Sequence, residues 1–133
     1  MLNGMSHEPL AFSERDIDQL VERFYARVRQ DDRLGPVFEA AIGDEGWPRH
    51  LATLKDFWAG VLQAAGRYKG SPMAVHGRLP QLREDMFIPW LALFHETAGD
   101  LFDPPRAALV GEKAERIARS LRLGLFYRPG AAA

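Results

Sequence analysis

The sequence contains no cysteine. This excludes a disulfide framework and any zinc site built on thiolates, and it suits a reducing compartment. No apolar run approaches the roughly 20 residues that a membrane-spanning helix needs. The opening stretch MLNGMSHEPLAF has neither a basic lead nor a long apolar centre, so no secretory leader is expected. Neither sign of charge dominates: 17 Lys and Arg stand against 18 Asp and Glu, a net charge of -1. That leaves no overall basic footprint for nucleic acid. Strand-like alternation and internal repeats are also missing, and GRYKGSP lacks both the length and the Lys-Ser/Thr ending of a phosphate-binding loop. The expectation is a soluble, cytoplasmic, all-α protein with neither membrane nor nucleic acid among its partners.

What is present is enough for one domain. With 133 residues and 47% apolar content, a chain of this size buries about 68% of its unfolded surface without a metal or disulfide staple. Residues 1–12 mix Gly, Pro and polar residues without a period and read as a flexible N-terminus. Residues 13–127 read as the folded domain, and 128–133, RPGAAA, as a flexible tail.

Ser13 has the chemistry of an N-cap, and Ile17, Leu20, Val21, Phe24 and Val28 recur at helical spacing, which predicts a helix from Glu14 to Gln30. Asp31, Asp32, Gly35 and Pro36 then break the chain, followed by a short helical turn at Phe38–Ala41 and a polar link over Gly43–Gly46. A helix from Pro48 to Ala65 carries His50 on a stripe with Leu54, Phe57, Trp58 and Val61, widened by Trp47, Leu51 and Leu62. A loop over Gly66–Ser71 leads to a short helix from Pro72 bearing Met73 and His76, closed by Leu79-Pro80. From Gln81 a long helix turns Met86, Phe87, Trp90, Leu91, Phe94 and Ala98 inward. Pro89 lies within it and demands either a kink before Trp90 or a break between two helices. Asp103 caps a last helix, Arg106–Phe126, with Val110, Ala114, Ile117, Leu121 and Leu125 inward and Lys113, Glu115, Arg119 and Arg122 outward. Gly111 within it marks a close helix approach.

His50 and His76 are thereby able to face one pocket. Spacing alone leaves their roles open. A His on an apolar helix face is ordinarily a hydrogen-bonded core or boundary residue, and the gap of 26 residues between them fits no short zinc motif. Tyr25, beside the stripe of its helix, is open in the same way between a boundary role and a functional one. Trp90 is ordinarily a large core residue, but its indole N–H needs a partner if buried.

Five blocks in order narrow the choice: FYARVRQDDRLGPVF, WPRHLATLKDFWAGVL, GRYKGSPMAVHGRLP, FIPWLALFHETAGDLF and AERIARSLRLGLF. From about Asp18 to Leu125 the chain resembles the truncated haemoglobins, and within them group III, the P-type; the glycine pairs that mark the other two groups are missing, as that group requires. The resemblance implies a shortened globin fold, a two-over-two helical sandwich around haem b. It makes His76 the iron ligand and puts Tyr25, His50 and Trp90 at distal polar positions, with Phe38, Leu54, Phe57 and Trp58 as apolar walls. Met73, Leu79, Phe87 and Phe94 complete the apolar lining. Arg67, Tyr68 and Arg78 flank the segment of His76 as candidate partners of the haem propionates, a solvated charged face being the alternative.

The resemblance also implies a five-coordinate iron open to O2, NO or CO. A Tyr25 hydroxyl and a Trp90 N–H aimed at a ligand that acquires negative charge slow its loss, since charge-assisted bonds are worth about 1.5 to 3 kcal/mol. Slow release argues against bulk oxygen carriage; the function the resemblance implies first is conversion of nitric oxide with bound oxygen to nitrate. No flavin or nicotinamide motif is present, so turnover requires an external reductase. Non-enzymatic storage or sensing of oxygen or nitric oxide is the alternative, as is weak peroxidase activity with His50 as base rather than gate. A haem-free helical interaction domain is the structural alternative. The expected assembly is a monomer or weak dimer.

Overall fold

Ser13 opens the first helix as its sequence dictates. In the computed structural model, which describes residues 11–63 and 82–126, α1 (Glu14–Gln30) begins with a reciprocal capping box. Ser13 Oγ accepts from the Asp16 N–H at 3.0 Å, and the Asp16 carboxylate accepts from the Ser13 N–H at 2.9 Å. The expected bounds are the observed ones. Ile17, Leu20, Val21, Phe24 and Val28 are all buried, because residues three and four apart share a helix face. Phe12, the last residue of the expected loose N-terminal segment, packs in the core. Its ring meets Phe102 edge-on at 5.4 Å, and its carbonyl accepts from Gln63 Nε2 at 2.8 Å.

The expected turn at Phe38–Ala41 is instead a full helix, α2 (Leu34–Ile42), which absorbs Gly35 and Pro36 into its first turn. Proline is harmless there, since first-turn N–H groups have no acceptor within the helix. Asp31 Oδ1 accepts from the N–H groups of Arg33 and Leu34, each at 2.9 Å, so the residue read as a breaker also starts the next helix. Gly43 takes a positive φ of 73° at the end of α2. The expected link becomes a single 3₁₀ turn, Asp44–Gly46, running directly into α3 (Trp47–Gln63).

A second 3₁₀ turn, Glu84–Met86, precedes α4 (Phe87–Leu101). The long helix expected from Gln81 is therefore divided, and Pro89 falls in the first turn of α4, where its missing N–H leaves no helical bond unmade. The last helix, α5 (Pro104–Phe126), starts two residues earlier than expected. Asp103 Oδ1 accepts from the Arg106 N–H at 3.0 Å, and both prolines fit the first turn. Val110, Ala114 and Leu121 are buried as expected, while Ile117 and Leu125 are half-buried, and Gly111 and Ala118 join the core. Of the outward set, Arg119 is exposed, whereas Lys113, Glu115 and Arg122 sit at the boundary.

All regular elements among the described residues are helical, and α1 with α3 packs over α4 with α5 in a two-over-two sandwich. Phe24 and Phe94 lie at its centre, their ring centroids 4.8 Å apart. Polar clamps tie neighbouring helices within and between the layers at the edges. Lys55 of α3 pairs with Glu22 and Asp18 of α1, which raises the Lys55 pKa through the Glu22 contact first, and Arg27 of α1 pairs with Asp100 of α4 at 2.6 Å. No helix among the described residues is long and apolar enough to cross a membrane.

Candidate functional site

Three helices deliver one polar side chain each to a common aromatic cluster. Tyr25 follows Phe24 on α1, turned toward α2 and α3 where Phe24 turns toward α4; the two rings meet edge-on at 4.7 Å. His50, in the first turn of α3, presents its ring edge to Tyr25 at 5.9 Å, and its Nε2 is buried. Trp90 of α4 approaches from the other layer, edge-on to Phe24 at 5.5 Å and stacked on Phe94 at 5.5 Å. The sequence separations are 25 residues from Tyr25 to His50 and 40 from His50 to Trp90, so only packing of α1, α3 and α4 brings the three together.

Burial governs the Tyr25 hydroxyl. Removal from water disfavours the phenolate and pushes its pKa well above the usual phenol range; a side-chain hydrogen bond with Trp90 works in the opposite direction and is the smaller effect. Tyr25 is therefore a neutral donor and acceptor throughout the physiological range. The Tyr25–Trp90 bond also answers the requirement that a buried indole N–H find a partner.

Phe38, Leu54, Phe57 and Trp58, the residues expected as apolar walls, pack in or against this aromatic core. Phe38 of α2 stands 5.9 Å from the Tyr25 ring. Trp58 is buried and stacks on Phe94 at 5.0 Å, and Phe57 meets Trp58 edge-on at 5.8 Å. Leu54 packs against the same core. Phe87 sits further along α4, in a smaller cluster with Ala118 and Leu121, joined to the site through an edge contact with Trp90 at 6.5 Å. His76, Met73, Leu79, Arg67, Tyr68 and Arg78, with the loop and short helix that carry them, lie outside the described residues.

Two members of the cluster were not singled out as site residues from the sequence. Phe24 touches the rings of Tyr25, Trp90 and Phe94 and acts as the floor between the two layers. Trp47 packs against His50 at 5.5 Å, Tyr25 at 6.2 Å and Phe38 at 6.3 Å. Its spacing of three from His50 on one helix was the available signal. The indole N–H of Trp47 donates to Glu39 Oε1 at 2.9 Å, and the Arg29 guanidinium lies over its ring at 4.6 Å.

The arrangement offers neutral hydrogen-bond donors and an imidazole within aromatic walls. Among the described residues no group of three or more His, Cys, Asp or Glu gathers that could hold a metal ion. Flat, dry walls suit a planar porphyrin, and neutral donors suit a small ligand that gains negative charge, so the donor set fits the haem that the sequence resemblance implies.

No family model matches the chain. A group 3 truncated hemoglobin of Campylobacter jejuni is 36% identical to it over 120 residues, which cover 89% of this chain and 94% of that protein. The crystal structure of a group III truncated hemoglobin from Campylobacter jejuni superposes with a TM-score of 0.84 at 35% identity, covering 93% of this chain and 99% of the other.

Proposed function

The chain belongs to the group III truncated haemoglobins, and from that premise we propose that it is a haem b protein that binds O2, NO and CO and turns over nitric oxide. Membership of the family implies haem and gas binding; the particular reaction rests on the chain's own residues. When bound, haem b supplies an iron centre for a diatomic ligand and the redox chemistry by which NO, O2 and one electron become nitrate. The electron comes from an external flavin- or nicotinamide-dependent reductase.

The observation that carries the reading is the meeting of Tyr25 with Trp90, at the centre of an aromatic cluster that also holds His50. The Tyr25 hydroxyl, kept neutral by burial, donates to a ligand that has gained negative charge; the Trp90 indole N–H, donated to the Tyr25 oxygen, orients that hydroxyl and strengthens it as a donor. Phe24, Phe38, Trp58 and Phe94 exclude the water that would weaken these bonds. In this proposal His76 holds the iron through one ring nitrogen, and Arg67, Tyr68 and Arg78 are candidate partners for the propionates. His50, beside Tyr25, gates entry or holds a proton at a ring nitrogen.

The test begins with absorption spectra of haem-supplied protein, ferric and dithionite-reduced, with and without carbon monoxide. A Soret band that shifts with carbon monoxide in wild type, and a changed ferrous form in His76→Gly, are expected. Nitric oxide consumption by the oxygenated protein with a reductant then decides the reaction: repeated turnover supports it, and stoichiometric loss without turnover leaves storage or sensing instead.

A further inference from the structure

Glu39 stands outside the aromatic cluster and yet controls one of its members. It lies on α2, eight residues before Trp47, and the Gly43 turn brings the two together. A single carboxylate oxygen, Oε1, receives both the Trp47 indole N–H at 2.9 Å and the Arg29 guanidinium at 3.3 Å. Arg29 also covers the Trp47 ring face at 4.6 Å. The indole is thus held at its edge by Glu39 and on its face by Arg29, and it packs in turn on His50 and Tyr25.

This charge pair contributes little as a surface ion pair. The side chains of Arg29 and Glu39 are 39% and 40% exposed, and exposed pairs of this kind add little to stability. Trp47, by contrast, is 2% exposed, so an acceptor for its N–H decides the angle at which a large rigid ring enters the cluster. A Trp fixed at that angle limits the space open to the neighbouring His50 ring.

We infer that Glu39, supported by Arg29, is a positioning residue of the gas site: by fixing the Trp47 indole it restrains His50 and so sets how fast small ligands enter. The inference rests on the proposed gas-binding function. Glu39 touches neither ligand nor cofactor; it acts through Trp47 alone. Gln at position 39 keeps an acceptor for the indole and loses the charge toward Arg29, whereas Ala loses both.

The experiment compares wild type, Glu39→Gln and Glu39→Ala in the ferrous carbon-monoxide form, by hydrogen exchange at the Trp47 indole N–H and by carbon monoxide association after flash photolysis. Faster indole exchange in Glu39→Ala, with association accelerated about threefold or more and largely restored in Glu39→Gln, is the expected result. Faster exchange with association unchanged would make Glu39 a merely structural support and overturn the inference. Unchanged exchange in Glu39→Ala would overturn it too, since the indole would not depend on Glu39. If wild type binds no carbon monoxide, the gas-binding reading itself fails and takes this inference with it, a result separable from the other two.

Discussion

Thr97 Oγ1, fully buried on α4, accepts a hydrogen bond at 3.0 Å from Arg27 Nη1 of α1 and donates to the Leu93 carbonyl at 2.7 Å. It is the buried end of a clamp that continues through Asp100 at 2.6 Å and Glu96 at 3.6 Å, both exposed. The clamp joins the same two helices, with Arg27 two residues after Tyr25 on α1 and Thr97 about two turns after Trp90 on α4, and so helps set the distance between them. Thr97→Val preserves shape and removes the hydroxyl, leaving one Arg27 donor without its buried acceptor. A loss of about 1 to 2 kcal/mol in urea unfolding is expected, because the stranded donor costs more than the bond itself contributed. Asp100→Ala, at the exposed end, should lose less than about 1 kcal/mol.

Removing the Tyr25 hydroxyl should separate binding from stability. Tyr25→Phe keeps the ring contacts with Phe24, Phe38, Trp47 and His50 and deletes the donor. Oxygen dissociation, followed by stopped flow in the haem-loaded protein, is expected to accelerate about tenfold or more, in keeping with the loss of one charge-assisted bond. Carbon monoxide dissociation, with a less polar ligand, should change much less. Equal acceleration of both would mean that Tyr25 acts by shape and not by donating.

The same hydroxyl carries a pH dependence with a definite sign. Burial raises the Tyr25 pKa above its unfolded value of 10.0. The folded state therefore keeps the proton where the unfolded state would release it, and folding binds more protons above pH 10. The contribution to stability is complete below that value and declines as pH rises beyond it. Phenolate absorbance of wild type against Tyr25→Phe should show no Tyr25 ionisation at the usual phenol pKa, and the stability of Tyr25→Phe should fall less steeply than that of wild type in alkali.

Two glycines should respond in opposite ways to alanine. A Cβ at Gly35 would meet the Arg29 carbonyl oxygen at 2.7 Å, and its next neighbours, Arg29 C and Val28 O, are backbone as well. Gly35→Ala must push α2 away from the end of α1, with a loss of about 1 to 3 kcal/mol in thermal or urea unfolding. A Cβ at Gly111 also comes within 2.7 Å of an atom, but of the His95 ring. That ring is 47% exposed and bonded to Glu115 at 2.7 Å, so it can rotate outward. The helix preference of Ala over Gly, about 1 kcal/mol, then offsets most of the lost contact. Near-neutral stability is expected for Gly111→Ala, and a loss equal to that of Gly35→Ala would refute the difference.

Much of this protein is legible locally. The Ser13 cap and the period of α1 place that helix to the residue, and Asp103 before two prolines marks the start of α5. Where expectation and structure part, the cause is again local. Pro36 and Pro89 look like breaks in a linear reading, but each falls in a first helical turn, where the missing N–H has no function. Whether a proline interrupts a helix or begins one depends on where the preceding turn ends, and that is decided by contacts around Asp31 and Met86 rather than by the proline.

The sequence by itself determined the all-α class, the helix faces and the family resemblance that directs attention to Tyr25, His50 and Trp90, because caps and period-3.6 patterns are properties of neighbouring residues. Only the tertiary structure decided that Phe24 floors the cluster, that Trp47 packs on both His50 and Tyr25, and that Glu39 and Arg29 hold its indole. Those relationships join α1, α2, α3 and α4 across many residues of chain. The positions of rings at such crossings follow from how whole helices pack, a balance of burial and close packing that no local stretch of sequence contains.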